Sequence, residues 1–336
     1  MTARILVTGA AGYIGSHTAI QLLEAGHHVL GLDRRTPVPG RLPDSIEMLL
    51  ADVADVDRVA RALADHRIDA VIHLAGDKSV TESMANPSRY FENNVLGTIR
   101  LAEAMRRAGT QLLVFSSSAA VYGEAQELPI SESHRLRPES PYGESKLLAE
   151  RALHWFEVCH GIRSLSLRYF NAAGAALDGS NGEDWEGAVN LVPLVIEAGL
   201  RRGAPLRIFG SDYPTTDGTA IRDYVHVLDL ATAHLAAVEH LANGGQTGVL
   251  NVGTGQGTSV SEVVEAVERV IGQQVPVRWS ARRPGDSPMV WADTRLATEQ
   301  LGWEARFGLD EIVESAVRWH RSRVPLTAPR GPSDSI

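Results

Sequence analysis

The stretch from Ile5 to His17, ILVTGAAGYIGSH, constrains this chain more than any other. Gly9, Gly12 and Gly15 fall directly after an apolar β-forming run and at the mouth of a helical pattern. A chain that must turn sharply, let its backbone approach a pyrophosphate and pack a helix close against a sheet needs residues without side chains at those points. The helix N-terminus then presents free amides and the positive end of its dipole to phosphate oxygens. Asp33 closes the second strand about 20 residues further on, where a carboxylate accepts hydrogen bonds from an adenosine ribose. The same carboxylate repels a 2′-phosphate, so the cofactor expected is NAD, although Arg34 and Arg35 follow at once and soften that repulsion.

The rhythm downstream agrees with this start. Extended runs at Arg4 to Thr8, His28 to Asp33, Ile46 to Ala51, Ala70 to Ala75, Gln111 to Ser116 and Ser164 to Phe170 alternate with helical patterns at Tyr13 to Ala25, Val56 to His66, Pro87 to Ala108 and Pro141 to His160. The fold class expected is α/β: a Rossmann-type doubly wound parallel sheet with a smaller mixed α/β substrate domain. Residues 1–172 are assigned to the dinucleotide-binding domain, with a later segment, 221–241, returning to it; residues 173–322 mainly to the substrate domain; and 323–336 to a flexible tail. The acidic, glycine-rich AAGAALDGSNGEDWEG reads as a long surface loop between the two. Beyond it Asn190 to Arg202 and Leu228 to Leu241 read as helices, and Leu206 to Phe209 and Arg222 to Val227 as extended. Ser259 and Glu262 form a capping box that opens a helix up to Ile271.

Composition removes several classes of function. Forty-one acids against 32 bases give a net charge of -9 with no run of basic residues, which excludes nucleic acid as a partner. The one cysteine, Cys159, has no disulfide mate and reads as a small packed side chain on a helix, which suits a reducing compartment. The N-terminal apolar run is too short for a signal peptide and no stretch reaches membrane-spanning length, so the expectation is a cytoplasmic protein with no membrane partner. The twelve histidines form no H-x-x-x-H pair on a helix, and no metal is expected.

Only Lys78 and Lys146 among the 32 basic residues are lysines. Lys146 lies four residues after Tyr142 in SPYGESKLLAE, a spacing that places both on one helix face. A phenol with a pKa of ~10 is a poor base at neutral pH, and bringing it to ~7 takes about 4 kcal/mol of preference for phenolate. An ammonium and an oxidised nicotinamide ring, each ~5 Å away at an effective dielectric of ~20, supply roughly 3 kcal/mol apiece. An ammonium is also a compact charge that donates to ribose hydroxyls while facing a phenolate, a role that a guanidinium fork does not fit.

With TGAAGYIGSH, SSSAAVYG, SPYGESK, RYFNAAGA and YPTTDGTAIRDYVHVLDL in this order, the chain resembles the extended short-chain dehydrogenase/reductases, and within them the UDP-glucose 4-epimerases, from Arg4 to about His320. The resemblance implies that Tyr142 takes a proton from the sugar 4-hydroxyl. Lys146 would lower the pKa of that phenol and hold the nicotinamide ribose, and Ser118 would bind the same oxygen and relay the proton. Lys78 is implied at the NAD pyrophosphate, Asp52 at the adenine, and Asn93 on a helix lining the cofactor. Further cofactor contacts are implied at Tyr13, Ile14, Arg34, Val53, Leu74, Ala75, Gly76, Ser116 and Phe170. For the substrate the resemblance assigns Asn171, Asn190 and Leu191 to the diphosphate and sugar, Phe209 to the uracil pocket, and Arg222, Arg283 and Asp286 to phosphate and uridine ribose. Forked donors suit a dianionic diphosphate.

The activity implied is reversible C4 epimerisation of UDP-glucose and UDP-galactose through a 4-keto sugar, with NAD tightly held. A homodimer is implied as well, its two long helices, with Leu101, Met105, Leu147 and Leu148, pairing into a four-helix bundle. Nucleotide-sugar 4,6-dehydratases place carboxyl groups where this chain has Ala119 and Ala120, which neither give nor take a proton. Epimerisation of another UDP-sugar, such as a UDP-uronic acid, is the nearest competitor. A non-catalytic NAD-binding regulator is the alternative of another class, and it has little use for Tyr142, Lys146 and Ser118 together. Glu144, Asp77 and Pro284 depart from the family pattern, and Asp77 puts a negative charge near a pyrophosphate. Val290 occupies the position where a tyrosine narrows the sugar pocket in some epimerases, so room for N-acetyl sugars is expected.

Overall fold

The computed structural model describes residues 2–185, 188–200, 204–283 and 286–323. Its centre is a parallel sheet of β1 (Arg4–Thr8), β2 (His28–Asp33), β3 (Glu47–Leu50), β4 (Ala70–His73), β5 (Leu112–Ser118), β6 (Arg163–Tyr169) and β7 (Gly248–Val252). These strands lie in the order β7-β6-β5-β4-β1-β2-β3. Strand order reverses between β1 and β4, which opens a crevice at their carboxyl ends. The register there pairs Thr8 with His73, so the glycine turn and Leu74 to Gly76 leave the sheet side by side.

Alternation along the strands sorts the core into two layers. Ile5 and Val7 pack with Leu22 of the helix Tyr13–Glu24 and with Leu230 and Val238 of the helix Val227–Ala242. Leu6 points the other way, toward Val59, Leu63, Leu101, Met105 and Leu153. Because both faces are covered, β1 reads as an unbroken apolar run. The return to this sheet extends past residue 241: the helix Val227–Ala242 covers one face and β7 then pairs with β6.

The helices Leu191–Leu200, Val260–Ile271 and Leu309–Arg321 build a separate core from Val195, Ile196, Val263, Val267, Ile312 and Val313. Short strand groups flank it, Leu206–Phe209 beside Val277–Ser280, and Ile221–Arg222 between Thr258–Ser259 and Met289–Val290. Ser259 caps its helix reciprocally with Glu262 as expected. Of the helix expected over Asn190 to Arg202, Arg201 and Arg202 lie outside the described residues, as do Pro284 and most of the expected tail.

Several expectations are corrected. The helix over Pro87 to Ala108 is broken into Pro87–Tyr90, a π turn at Phe91–Leu96, and Gly97–Ala108. The wider turn is held by Asn94, whose Nδ2 donates to the Asp77 carbonyl and to Ser145 Oγ (3.0 Å each) and whose Oδ1 accepts from the Asp77 amide (2.8 Å). Leu101, Met105 and Leu147 are buried in the chain's own cores, and Leu148 is half-buried. The apolar side chains that the helix Pro141–His160 leaves in the open are Trp155 and Val158, at 63% and 60% exposure. Helical spacing alone does not tell a sheet-facing stripe from a solvent-facing one. Cys159, read as packed, is exposed near the same end of that helix. No helix among the described residues is long and apolar enough to cross a membrane.

Candidate active site

The crevice is the mouth of a cleft of about 1560 Å³ that runs from Asp33 and the glycine turn to Arg283 and Val290. That exceeds the roughly 300–1,000 Å³ of a typical single-ligand pocket, and it leaves room for two ligands end to end. Every position expected to meet a cofactor lines it.

At one end the backbone is shaped for a dinucleotide. Gly9 has φ +72, and a Cβ there would lie 2.8 Å from the Ala75 nitrogen. A Cβ on Gly15 would overlap the Gly9 carbonyl oxygen. Gly12 caps the helix Tyr13–Glu24 without a side-chain hydrogen bond, so the first-turn amides are open to an anion. Asp33 is oriented by two backbone amides: Ala11 donates to one oxygen (3.1 Å) and Arg35 to the other (3.0 Å), leaving lone pairs on both for ribose hydroxyls. Arg34 turns away to Asp52 at 3.6 Å. The Tyr13 hydroxyl is spent on the Gly174 carbonyl (2.6 Å). These features fit NAD.

Below the turn lies a polar strut that the sequence does not advertise. Thr98 Oγ1 donates to the Asn94 carbonyl (2.6 Å), so it accepts from His73 Nε2 (3.0 Å), and His73 Nδ1 accepts from Thr8 Oγ1 (2.8 Å). Thr8 Oγ1 in turn accepts from the amides of Leu74 and Ala75, both at 3.2 Å. Burial, and secondarily the charge of Lys146, lowers the His73 pKa to about 3, which keeps the ring neutral in this network.

The tyrosine and lysine expected at the reaction centre sit on the helix Pro141–His160. Ser140 caps it by accepting from the Gly143 amide (3.1 Å), Pro141 occupies the first turn, and Gly161 ends it in the left-handed region. Tyr142 and Lys146 share a buried face, at 9% and 5% exposure. Lys146 Nζ donates to the Ser116 carbonyl (2.8 Å) and stands 5.1 Å over the Phe115 ring. Ser118, at the end of β5, caps the following turn by accepting from the Ala120 amide (3.2 Å) and hydrogen-bonds the Tyr142 hydroxyl.

Electrostatics here departs from the simple expectation of a depressed phenol. Burial pushes the Tyr142 phenol up, and the hydrogen bond with Ser118 only partly opposes this. Burial also brings Lys146 down to about 8, against the pull of Glu150 and Asp77. The polypeptide alone therefore does not make a phenolate; the second of the two cations has to arrive with the cofactor.

Toward the other end stand Asn171, Asn190, Arg222, Arg283, Asp286 and Val290. Arg222 and Asp286 form a short ion pair, and the Tyr213 hydroxyl donates to the same carboxylate (3.4 Å). Two expected substrate positions do not line the cleft. Leu191 opens its helix and packs against the third core, and Phe209 lies behind Arg283, whose guanidinium stands 3.9 Å over its ring.

Lys78 pairs with Glu183 (2.5 Å), a buried carboxylate that also accepts from Asn190 Nδ2 (2.9 and 3.0 Å). Asp77, expected to repel a pyrophosphate, is compensated by the fork of Arg89 (3.0 Å twice) and by Asn93 Nδ2 (2.6 Å). Glu183 and Arg41, which also line the cleft, were missed by sequence reasoning because both lie in loops without periodicity. A doubly wound sheet whose switch-point cleft joins a dinucleotide turn to a Ser-Tyr-Lys constellation defines a nicotinamide-dependent protein of the dehydrogenase/epimerase type.

Comparison with known proteins agrees. Residues 5–253 match the model of the NAD dependent epimerase/dehydratase family, and the chain belongs to that family. It is 45% identical over 325 residues to a UDP-glucose 4-epimerase of Azospirillum brasilense, covering 95% of this chain and 92% of the relative. Among solved structures it superposes on UDP-glucose-4-epimerase from Stenotrophomonas maltophila, with bound NAD and formylated UDP-arabinopyranose, at a TM-score of 0.92 and 40% identity, covering 95% of this chain and 98% of that one. The Brucella ovis UDP-glucose 4-epimerase in complex with NAD gives 0.90 and 42%, with 94% and 98% covered.

Proposed function

We propose that this chain is an isomerase that interconverts UDP-glucose and UDP-galactose at C4 with retained NAD. The observation that carries this reading is the convergence of Ser118, Tyr142 and Lys146 on the middle of a cleft whose two ends carry a dinucleotide turn and an Arg222–Asp286–Arg283 cluster. Residues 1–172 with the returning segment hold the cofactor, and the remainder up to 322 mainly holds the sugar nucleotide.

When bound, NAD supplies the hydride acceptor and, in its oxidised form, a positive ring. Tyr142 Oη accepts the proton of the 4-hydroxyl, with Ser118 bridging the two oxygens, while Lys146 supplies the fixed charge beside them. The C4 hydride would pass to the nicotinamide held beside Tyr142 and Lys146, which would leave C4 as a carbonyl. After the hexose turns about its diphosphate linkage, hydride would return from the cofactor to the other face of C4 while Tyr142 returns the proton to the 4-oxygen. No net redox occurs, so the cofactor has no reason to leave. Arg222 and Arg283 anchor the diphosphate and uridine through the turnover, and the wall beside Ser118 carries Ala119 and Ala120, which neither give nor take a proton.

The test is incubation with UDP-galactose without added NAD, followed by assay for UDP-glucose. Tyr142→Phe is expected to lose ~10²-fold or more of the turnover while keeping its nucleotide; native turnover in that variant refutes the assignment. Val290 borders the sugar end, and we read its small side chain as admitting N-acetyl sugars. Trp155 and Val158 are read as the contact with a second copy of the chain in a cytoplasmic homodimer.

A further inference from the structure

The segment from Gly174 to Asp184 runs along the cofactor end of the cleft and is tied to the sheet domain from both sides. Tyr13 Oη reaches the Gly174 carbonyl (2.6 Å), Asn181 Nδ2 donates to Ser16 Oγ (2.8 Å), and Lys78 holds Glu183 (2.5 Å). The densest tie is Arg41, in the loop after β2 and only 6% exposed. Its Nη1 donates to the Ala11 carbonyl inside the glycine turn (3.3 Å), and its Nη2 donates to the Gly182 carbonyl (3.1 Å) and to Asp184 Oδ2 (2.7 Å).

Two of the five guanidinium N–H groups are left over. Arg41 Nε is buried and meets no acceptor among the described residues, while the side chain borders the cleft. That enclosed donor is not presented to the cleft; what the guanidinium adds there is a fixed positive charge beside the turn that receives a pyrophosphate. We propose that Arg41 is a cofactor-retaining residue: it clasps Gly182 to Asp184 across the glycine turn and so fixes this segment along the cofactor end of the cleft, and release of the dinucleotide requires the Arg41–Asp184 pair to open. Asp184 is about one-third exposed and lies 3.6 Å from Arg323, so its carboxylate stays hydrated and partnered when the clasp parts. This rests on the NAD reading of the cleft.

The experiment follows bound nucleotide directly. Wild type, Arg41→Met, Arg41→Lys and Asp184→Asn are loaded with NAD and desalted, the NAD still bound is assayed over time after acid release, and circular dichroism checks folding. Arg41→Met is expected to release NAD about tenfold faster, which corresponds to about 1.4 kcal/mol. Arg41→Lys keeps the charge but cannot span three oxygens as a fork, and is expected to release nearly as fast. Asp184→Asn is expected to release severalfold faster and serves as the measurement if Arg41→Met does not fold. Wild-type release rates in a folded Arg41→Met, or in Asp184→Asn when it alone folds, overturn the clasp. A wild type that takes up no NAD defeats the cofactor reading and the clasp with it, whereas wild type and variants that hold NAD equally well sink the clasp alone.

Discussion

Lys146 destabilises the fold it serves, and replacing it with methionine separates stability from function. Burial lowers its pKa from 10.5 to about 8. Between those values the unfolded chain binds a proton that the folded chain does not, so for this group stability rises with pH across about 8 to 10.5, and the full penalty is present below about 8. At about 1.4 kcal/mol per pH unit the penalty at neutral pH is about 3 kcal/mol. Methionine fills the slot with an unbranched neutral side chain. It forfeits the bond to the Ser116 carbonyl and the contact with the Phe115 ring, together about 1–2 kcal/mol. NAD-free Lys146→Met is therefore expected to be more stable than wild type by about 1–2 kcal/mol at pH 7, with the difference vanishing or reversing near pH 10. Its turnover is expected to fall ~10²-fold or more. Urea unfolding of both proteins at pH 7, 8.5 and 10 is the assay. A variant less stable than wild type at pH 7, or a difference that does not shrink as pH rises, refutes the reasoning.

Gly15→Ala drives a methyl group into the Gly9 carbonyl oxygen; a loss of about 1–3 kcal/mol and of retained nucleotide is expected, measured by unfolding and by NAD release. Val290→Tyr is expected to lower turnover of UDP-N-acetylglucosamine ~10-fold or more relative to UDP-glucose, and equal losses on the two substrates count against the pocket reading. Trp155→Asp removes the largest exposed apolar side chain of its helix and is expected to convert a dimer to a monomer in light scattering; a wild type that is already monomeric at micromolar concentration rejects that interface.

Much of the architecture was legible because it is local. The run from Arg4 through the glycine turn into its helix, and the four-residue spacing of Tyr142 and Lys146, are each settled within one or two adjacent elements. β7 was not legible: GVLNV carries a polar Asn251 whose place in the sheet depends on acceptance from the Tyr122 hydroxyl (2.7 Å) and donation to the Ile130 carbonyl (2.8 Å). The π turn was hidden for a similar reason, since Asn94 finds its partners in Asp77 and Ser145.

By itself the sequence determined the parallel sheet, the cofactor turn and the shared helix face of Tyr142 and Lys146, because spacing and periodicity are set by near neighbours. Only the tertiary structure decided that Lys78 meets Glu183, that Arg41 reaches Gly182, and that the Tyr142 phenol is raised by burial. Those outcomes depend on residues far apart in the chain and on how much water remains between them. Spacing encodes neither.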